Sequence, residues 1–401
     1  MTVPDDLDQK IQNVLMPIID PDDAPIAVAV SGGGDSMALL LALHHYRQQS
    51  DITLKIIALT VDHKLRADAA IEAAQVGQWC KDLGIEHHVL EWQFDEMPTT
   101  AIQEKARDAR YQLMGEFCVA HHINKLFVAH NLEDNAETFL MRLKRGAGLS
   151  GLSGIAATMQ RDVNGRSVDI VRPFLTFERT DLRDYLSRHK QLWYDDVSNQ
   201  NEKFERVQIR NFLAQNAPLN SDAVAQSAKR LARANEAVEF YLEDFWQSKI
   251  AFLPLGIAHV KLDDFAQLPE ELKLRLLARL VWTIGGQDNP PRWQKIENLL
   301  QLILGAGRQF CLGHCLLVKK QNGLWFGYED RDGQDAMWAG RFENPAPMKR
   351  LSAVPQFADP LLQMHDGLNT CPKVVLQSIA VVDDDDEDKI KNIELRLKIR
   401  R

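Results

Sequence analysis

The chain has 401 residues, enough for two or three domains with sizeable cores. Its 45% hydrophobic and 26% charged residues are ordinary for a globular protein, and no apolar run approaches the roughly 18 residues of a membrane span. The net charge of −9 argues against a uniformly basic surface, but six acids form a single run at 383–388, so local basic patches remain open to the rest of the chain. The acidic start, MTVPDDLDQK, lacks the apolar centre of a signal peptide, and five scattered cysteines form no disulfide framework; together they predict a reducing, cytoplasmic setting.

Residues 1–25 read as a helix followed by a Pro/Asp-rich approach to the stretch that organises the chain, IAVAVSGGGDSMALLL at 26–41. The short apolar run 26–30 predicts a buried parallel strand, and Met37 onward an apolar helix. Between them lie Ser31, Gly32, Gly33, Gly34, Asp35 and Ser36. Strand, glycine loop and helix make a phosphate cradle, because glycines let backbone N–H groups approach an anion and the helix N-terminus adds its dipole. No Gly-Lys-Ser/Thr follows as in a Walker A loop, Met37 stands where a dinucleotide fingerprint has its third glycine, and Ala29-Val30 before Ser31 excludes a nucleophile elbow. A plain capped βα turn would explain one glycine, not three with two hydroxyls and a carboxylate.

Strands follow at 54–61, 86–92 and 125–129, alternating with helices at 67–83 and 101–122 and one that follows the polar run at 130–138 and ends at about Lys144. This alternation predicts a Rossmann-like, doubly wound α/β fold with a parallel sheet, whose ligands bind beyond the carboxyl ends of the strands. SGGGDS, Val61-Asp62-His63 and the run from Ala129 through His130 and Asp134 to Thr138 all fall at that edge, and their convergence marks the candidate site. Asp35 offers hard oxygen to Mg²⁺, or caps its helix. Asp134 and Glu137, three apart, share a helix face; they can join a Mg²⁺ site, hold an ammonium or deprotonate it, or merely favour the helix dipole. His130 can contact phosphate or base, and Arg110, one turn from Arg107, can clamp an anion.

After Arg145 a Gly-rich stretch, 145–152, predicts a mobile loop. Helices are expected at 178–189 and 221–250, over the run LPEELKLRLLARLVW within 265–285, and at 292–304, and a hairpin over 309–328 turning at 321–323. The expected domains are a catalytic one at 1–217, a mainly helical one at 218–305 and a small C-terminal region with the hairpin at 306–401, its acidic tail loosely ordered. Arg142, Arg145, Arg172, Arg206 and Arg210 are candidate RNA-backbone contacts, as are the pairs Lys229/Arg233 and Arg275/Arg279. The adjacent histidine pairs and Cys311/Cys315 are read as packing residues, not metal ligands.

The loop resembles the PP-loop of N-type ATP pyrophosphatases. With Leu65-Arg66, Ala106-Arg107, Arg110-Tyr111, Asp134, Glu137-Thr138, Arg145-Gly146, Gly148, Gly151-Leu152, Arg172-Pro173, Asp196, Ser198-Asn199 and Arg210-Asn211, the chain resembles the bacterial tRNA(Ile)-lysidine synthetases over about 26–213, more weakly through 268–282. It departs at Glu133, where the family often has Asp, and at Lys64, where it often has glycine. The resemblance implies ATP and Mg²⁺, an ATP contact set of Ser31–Ser36, Val61, Asp62, His63 and His130, and catalytic Asp35, Arg110, Asp134 and Glu137. It implies that the wobble cytidine of an isoleucine tRNA with a CAU anticodon attacks ATP and that L-lysine then displaces AMP, and it leaves room for a homodimer. Two other readings stand beside it. One is a tRNA-thiolating relative, which usually needs paired cysteines; the other is an ATP-binding module without turnover.

Overall fold

The computed structural model describes residues 6–20, 25–50, 53–64, 69–93, 102–194, 205–215, 219–253, 256–287, 289–320 and 323–328. Leu65-Arg66, Asp196, Ser198-Asn199, Lys203 and everything after Tyr328, including the acidic run, lie outside the described residues. Among the described residues no helix is long and apolar enough to cross a membrane. The chain divides into two compact units, residues 1–235 and 236–401.

The first unit is built on a six-stranded sheet. After helix α1 (Asp6–Leu15) come β1 (Ile26–Ala29), α2 (Gly34–Gln49), β2 (Ile56–Asp62), α3 (Ala69–Asp82), β3 (Glu86–Glu91), α4 (Ile102–Ala120), β4 (Lys125–Phe127), α5 (Leu132–Lys144) and α6 (Leu149–Leu152). The unit continues with β5 (Thr158–Val163), β6 (Arg166–Val171), α7 (Arg179–Arg188) and α8 (Glu205–Gln215). The strand order is β3-β2-β1-β4-β6-β5, parallel except for the edge strand β5. The α/β expectation therefore holds, with one addition. The hairpin β5–β6 is absent from the sequence reading, although its turn, Asn164-Gly165, has both residues in the left-handed region (φ 50 and 82), which is the strongest short hairpin signal there is.

Alternate residues of β1 feed two cores. Ile26 and Val28 pack with Leu39, Leu43, Val76 and Leu182, so α1, α2, α3 and α7 cover one face. Ala27 packs with Tyr111, Met114 and Cys118, so α4 covers the other. This two-sided burial is why β1 and β2 are apolar throughout rather than alternating.

The helix α9 (Ser221–Lys249) belongs to the first unit up to Asn235, where Val224 and Ala228 pack against Ala136, Phe139 and Leu213. In the second unit the remainder of α9 joins β7 (Ala251–Leu253), β8 (Ile257–Lys261), α10 (Leu262–Gln267), α11 (Glu270–Gly285), α12 (Trp293–Leu304), β9 (Gln309–Leu312), β10 (Cys315–Lys320) and β11 (Gly323–Tyr328). The helix expected within 265–285 is α11, and Leu268-Pro269 separates it from α10, because proline disfavours a helical residue before it. The hairpin is real but belongs to a five-stranded antiparallel sheet, β7-β8-β11-β10-β9. Leu276, Leu280, Ile296, Leu316 and Phe326 share one core, so the expected division at 305/306 runs through it.

Arg275 and Arg279, expected to face RNA, are held by glutamates instead. Arg275 is 6% exposed between Glu239 and Glu271, and Arg279 pairs with Glu243 at 2.7 Å while covering the Trp246 ring at 4.2 Å. Sequence spacing shows that two arginines share a face, but not that the facing helix supplies the carboxylates.

The glycine loop constrains the fold at Gly32. Gly32 has φ +84, and a Cβ there would lie 3.0 Å from Val76 Cγ2 and 3.2 Å from the Tyr194 ring. Gly32→Ala is expected to lower the unfolding free energy by about 1–2 kcal/mol from the left-handed backbone alone. Urea denaturation measures this, and an unchanged stability would show that the loop tolerates a side chain.

Candidate active site

The phosphate-loop expectation meets a preorganised turn. The Ser36 hydroxyl donates to Gly33 O at 2.9 Å and accepts from Ser31 N at 3.2 Å, and the Ser31 and Ser36 hydroxyls lie 3.2 Å apart. Tyr194 N donates to Gly32 O at 2.8 Å, forming a parallel bridge that holds the loop against the segment after α7. Trp193 stands 3.4 Å from where Gly34 would carry a Cβ. Neither aromatic is foreseeable from the sequence, since nothing local ties positions 193–194 to 32–34.

Behind the loop, Asn131 is fully buried and uses both ends of its amide. Its Oδ1 accepts from Asp134 N at 2.9 Å, Asp134 Oδ2 returns a bond from Asn131 N at 3.2 Å, and the pair closes a capping box at the start of α5. Its Nδ2 donates to Asp35 Oδ2 at 3.0 Å. The sequence carries this signal, an Asn followed by an Asp three residues later before a helical run, but not the long-range bond to Asp35.

Arg179 completes the cluster. Its Nε reaches Asp35 Oδ2 at 3.4 Å, and its Nη2 lies 3.9 Å from Asp134 Oδ1. Its backbone N–H is held by both oxygens of Glu133, each at 3.1 Å. Arg179 is the first residue of α7, where the helix dipole disfavours a cation. That misplaced charge is the one hint the sequence offers, and the three carboxylates offset it. Glu133 thus has its own task here, with both oxygens on one main-chain donor.

Burial pushes the Asp35 carboxyl up to about 6, with Arg179 pulling down and Asp134 pushing further up. Asp35 and Asp134 are hard-oxygen donors on one side of the loop, and a guanidinium already bridges their charge. Among the described residues no group of three or more potential ligands could cage a metal. Two carboxylates with the remaining positions left to phosphate suit Mg²⁺, which keeps few protein ligands.

Glu137, expected to face the reaction, is instead 0% exposed and held by α8: Arg210 Nε donates to Oε1 at 2.8 Å and Arg206 Nε lies 3.6 Å from Oε2. Burial raises its pKa and Arg210 opposes the shift. Arg206 and Arg210, expected to touch RNA, are therefore its counter-ions. Arg142 gives Nη1 to the carbonyls of Gly151 and Gly154, at 2.9 and 2.8 Å, and pins the Gly-rich stretch, whose residues 149–152 form α6. Arg145 pairs with Glu205 at 2.6 Å. Arg172 is 5% exposed and donates to Ala156 O at 2.8 Å, too deep for the surface contact expected of it.

Val61 and Asp62 end β2, where Asp62 Oδ1 accepts from Lys64 N at 2.8 Å. Lys64 has φ 53, a left-handed conformation that glycine takes without strain, which accounts for the glycine expected there. The buried Nδ1 atoms of His63 and His130 have no hydrogen-bond partner. Burial drives the His130 imidazolium pKa down to about 3, with Asp134 opposing and Arg172, Arg107 and Arg110 reinforcing, so His130 is neutral at working pH. Arg110 lies over the Tyr111 ring beside Arg107.

Two outcomes are expected. Asn131→Ala removes a helix cap and a side-chain donor that Asp35 shares, among the described residues, only with Arg179, and should cost about 1–2 kcal/mol of stability while lowering ATP turnover further than that loss explains. Normal turnover at full folding would show that Asp35 needs no such support. Secondly, Asp35 holds its proton more tightly folded (about 6) than unfolded (3.8), so its contribution to stability is fully present below the lower value and is lost as pH rises through about 6. In metal-free buffer the stability difference between wild type and Asp35→Asn should change across this window; parallel curves would contradict the assignment.

The PP-loop domain family matches residues 4–217. The tRNA(Ile)-lysidine synthase of Wolbachia pipientis wMel is 32% identical over 87% of this chain and 84% of its own length. That of Ruegeria pomeroyi is 35% identical over 80% and 77%, and that of Bradyrhizobium diazoefficiens 36% over 69% and 77%. The phosphate loop, the paired carboxylates beside it and this similarity along most of the chain lead to one conclusion: the chain belongs to the tRNA(Ile)-lysidine synthase family of PP-loop ATP pyrophosphatases.

Proposed function

We propose that the protein joins free L-lysine to C2 of the wobble cytidine of an isoleucine tRNA with a CAU anticodon, using ATP, and that it does so in the cytoplasm. The observation that carries this reading is the convergence of the SGGGDS loop with Asp35 and Asp134 at one sheet edge, in a chain with family-wide similarity. In the first step the C2 carbonyl oxygen attacks the α-phosphorus and pyrophosphate leaves. In the second the lysine ε-amine attacks C2, its proton passes to a base, and the C2–O bond breaks to release AMP.

The roles follow from position. The N–H groups of Gly32, Gly33 and Gly34 and the hydroxyls of Ser31 and Ser36 hold the leaving pyrophosphate, exchanging their present internal bonds for phosphate oxygens. Asp35 and Asp134 would hold Mg²⁺, which neutralises charge on the triphosphate when bound. Asp134, with the less enclosed carboxylate of the α5 pair, is the candidate base for the lysine amine, while Glu137 positions α8 through Arg210. His130, neutral and with a free ring nitrogen, faces the base, and Arg110 takes developing negative charge. ATP chemistry lies before Ser221, and exposed basic residues after it, such as Lys229 and Arg233 on α9, grip the tRNA body.

Thiolation is the weaker reading. Cys80 and Cys118 are buried in separate cores and burial pushes both thiols up to about 12, so neither supplies a thiolate at the site.

Incubation with labelled lysine, ATP and unmodified tRNA should attach label to the tRNA with equal yields of AMP and pyrophosphate, and Asp35→Ala should abolish all three. Label transfer from another amino acid in place of lysine, or ATP cleavage to ADP, would overturn the reading.

A further inference from the structure

On the sheet face opposite the glycine loop, four arginines gather with no carboxylate to balance them. Arg107 and Arg110 of α4 each lie 5.4 Å from the centre of the Tyr111 ring, and Arg161 of β5 lies 5.7 Å from it. Arg172, at the end of β6, is near enough to the Tyr111 hydroxyl and to Arg107 for both to shift its pKa. Among the described residues none of the four forms an ion pair with an acid. An aromatic ring has two faces, so attraction to Tyr111 cannot account for three guanidiniums. Like charges this close repel unless something anionic sits among them.

The buried polar atoms point the same way. Arg172 Nε and His130 Nδ1 are shielded from solvent and have no hydrogen-bond partner, an expensive arrangement that a ligand would relieve. The charges are also graded. Arg107 is exposed, Arg110 and Arg161 are half-buried, and Arg172 is buried. A single carboxylate would neutralise one of four charges; a polyanion entering from solvent meets them in succession.

We propose that Arg107 and Arg161, arrayed on the Tyr111 ring and backed by Arg110 and Arg172, seat backbone phosphodiesters of the tRNA beside the target base, as a second anion site separate from the ATP loop. The proposal rests on the functional reading above, in that tRNA is the substrate. Its new content is the assignment of Arg107 and Arg161, which hold the RNA in register while the α2 side of the sheet holds the triphosphate.

The test uses the full chain and a transcribed isoleucine tRNA with a CAU anticodon. Arg161→Ala and Arg107→Ala should each weaken tRNA binding severalfold and reduce the slope of log K against log salt by about 0.7, the double variant by about twice that. Affinity for ATP should not change, and Arg161→Lys should restore most of the slope. Unaltered tRNA affinity and slope in the double variant would overturn the proposal. So would a raised KM for lysine with tRNA binding intact, which would assign the cluster to the amino acid's carboxylate. If the wild-type protein bound no tRNA, the functional reading itself would fall; if it bound and the double variant bound equally, only the phosphodiester seat would.

Discussion

A single buried amide holds the site together. Asn131 caps α5 with its oxygen and steadies Asp35 with its nitrogen, so the start of α5 and the start of α2 cannot move independently. A buried side chain that satisfies donors on two elements is stabilising only in one arrangement, because each lost partner leaves a polar group unpaired. Arg179 adds a third element, bringing α7 to the same two carboxylates while Glu133 fixes its backbone. Together with the Tyr194 bridge to Gly32, these contacts mean that the phosphate loop and the acidic pair arrive as one preformed unit rather than being assembled around substrate.

The charge balance explains the odd pKa values. Burial raises the cost of ionising Asp35, and the nearby Asp134 carboxylate adds to it. A guanidinium between them lowers that cost without adding a ligand. On the far face the imbalance is reversed, with arginines around Tyr111 and a histidine kept neutral. One edge of one sheet therefore presents an acid-lined and an arginine-lined side. That polarity suits a reaction in which a nucleoside triphosphate and an RNA strand must meet in line.

The strand–loop–helix opening, the alternation that makes the parallel sheet and the edge where Asp35, Asp134 and His130 gather were legible because each is local or periodic. What escaped the sequence was partnership. Arg142, Arg172 and Arg275 look like RNA contacts as residue types, yet their donors go to main-chain carbonyls or facing glutamates. Glu137 shares a helix face with Asp134, but Arg210 from α8, some 70 positions later, takes it inward. Arg179 and Asn131 matter through bonds spanning 144 and 96 positions, which no local pattern encodes. The Asn164-Gly165 hairpin is a different case, since its turn signal was in the sequence in full.

In the proposed reaction the base oxygen attacks the α-phosphorus of ATP and later leaves with AMP. Isoleucine tRNA carrying oxygen-18 at C2 of the wobble cytidine tests this in a single turnover with ATP and lysine. The heavy oxygen should appear in the phosphate of AMP, one atom per lysine attached. Heavy oxygen in pyrophosphate, or retained in the modified tRNA, would contradict it.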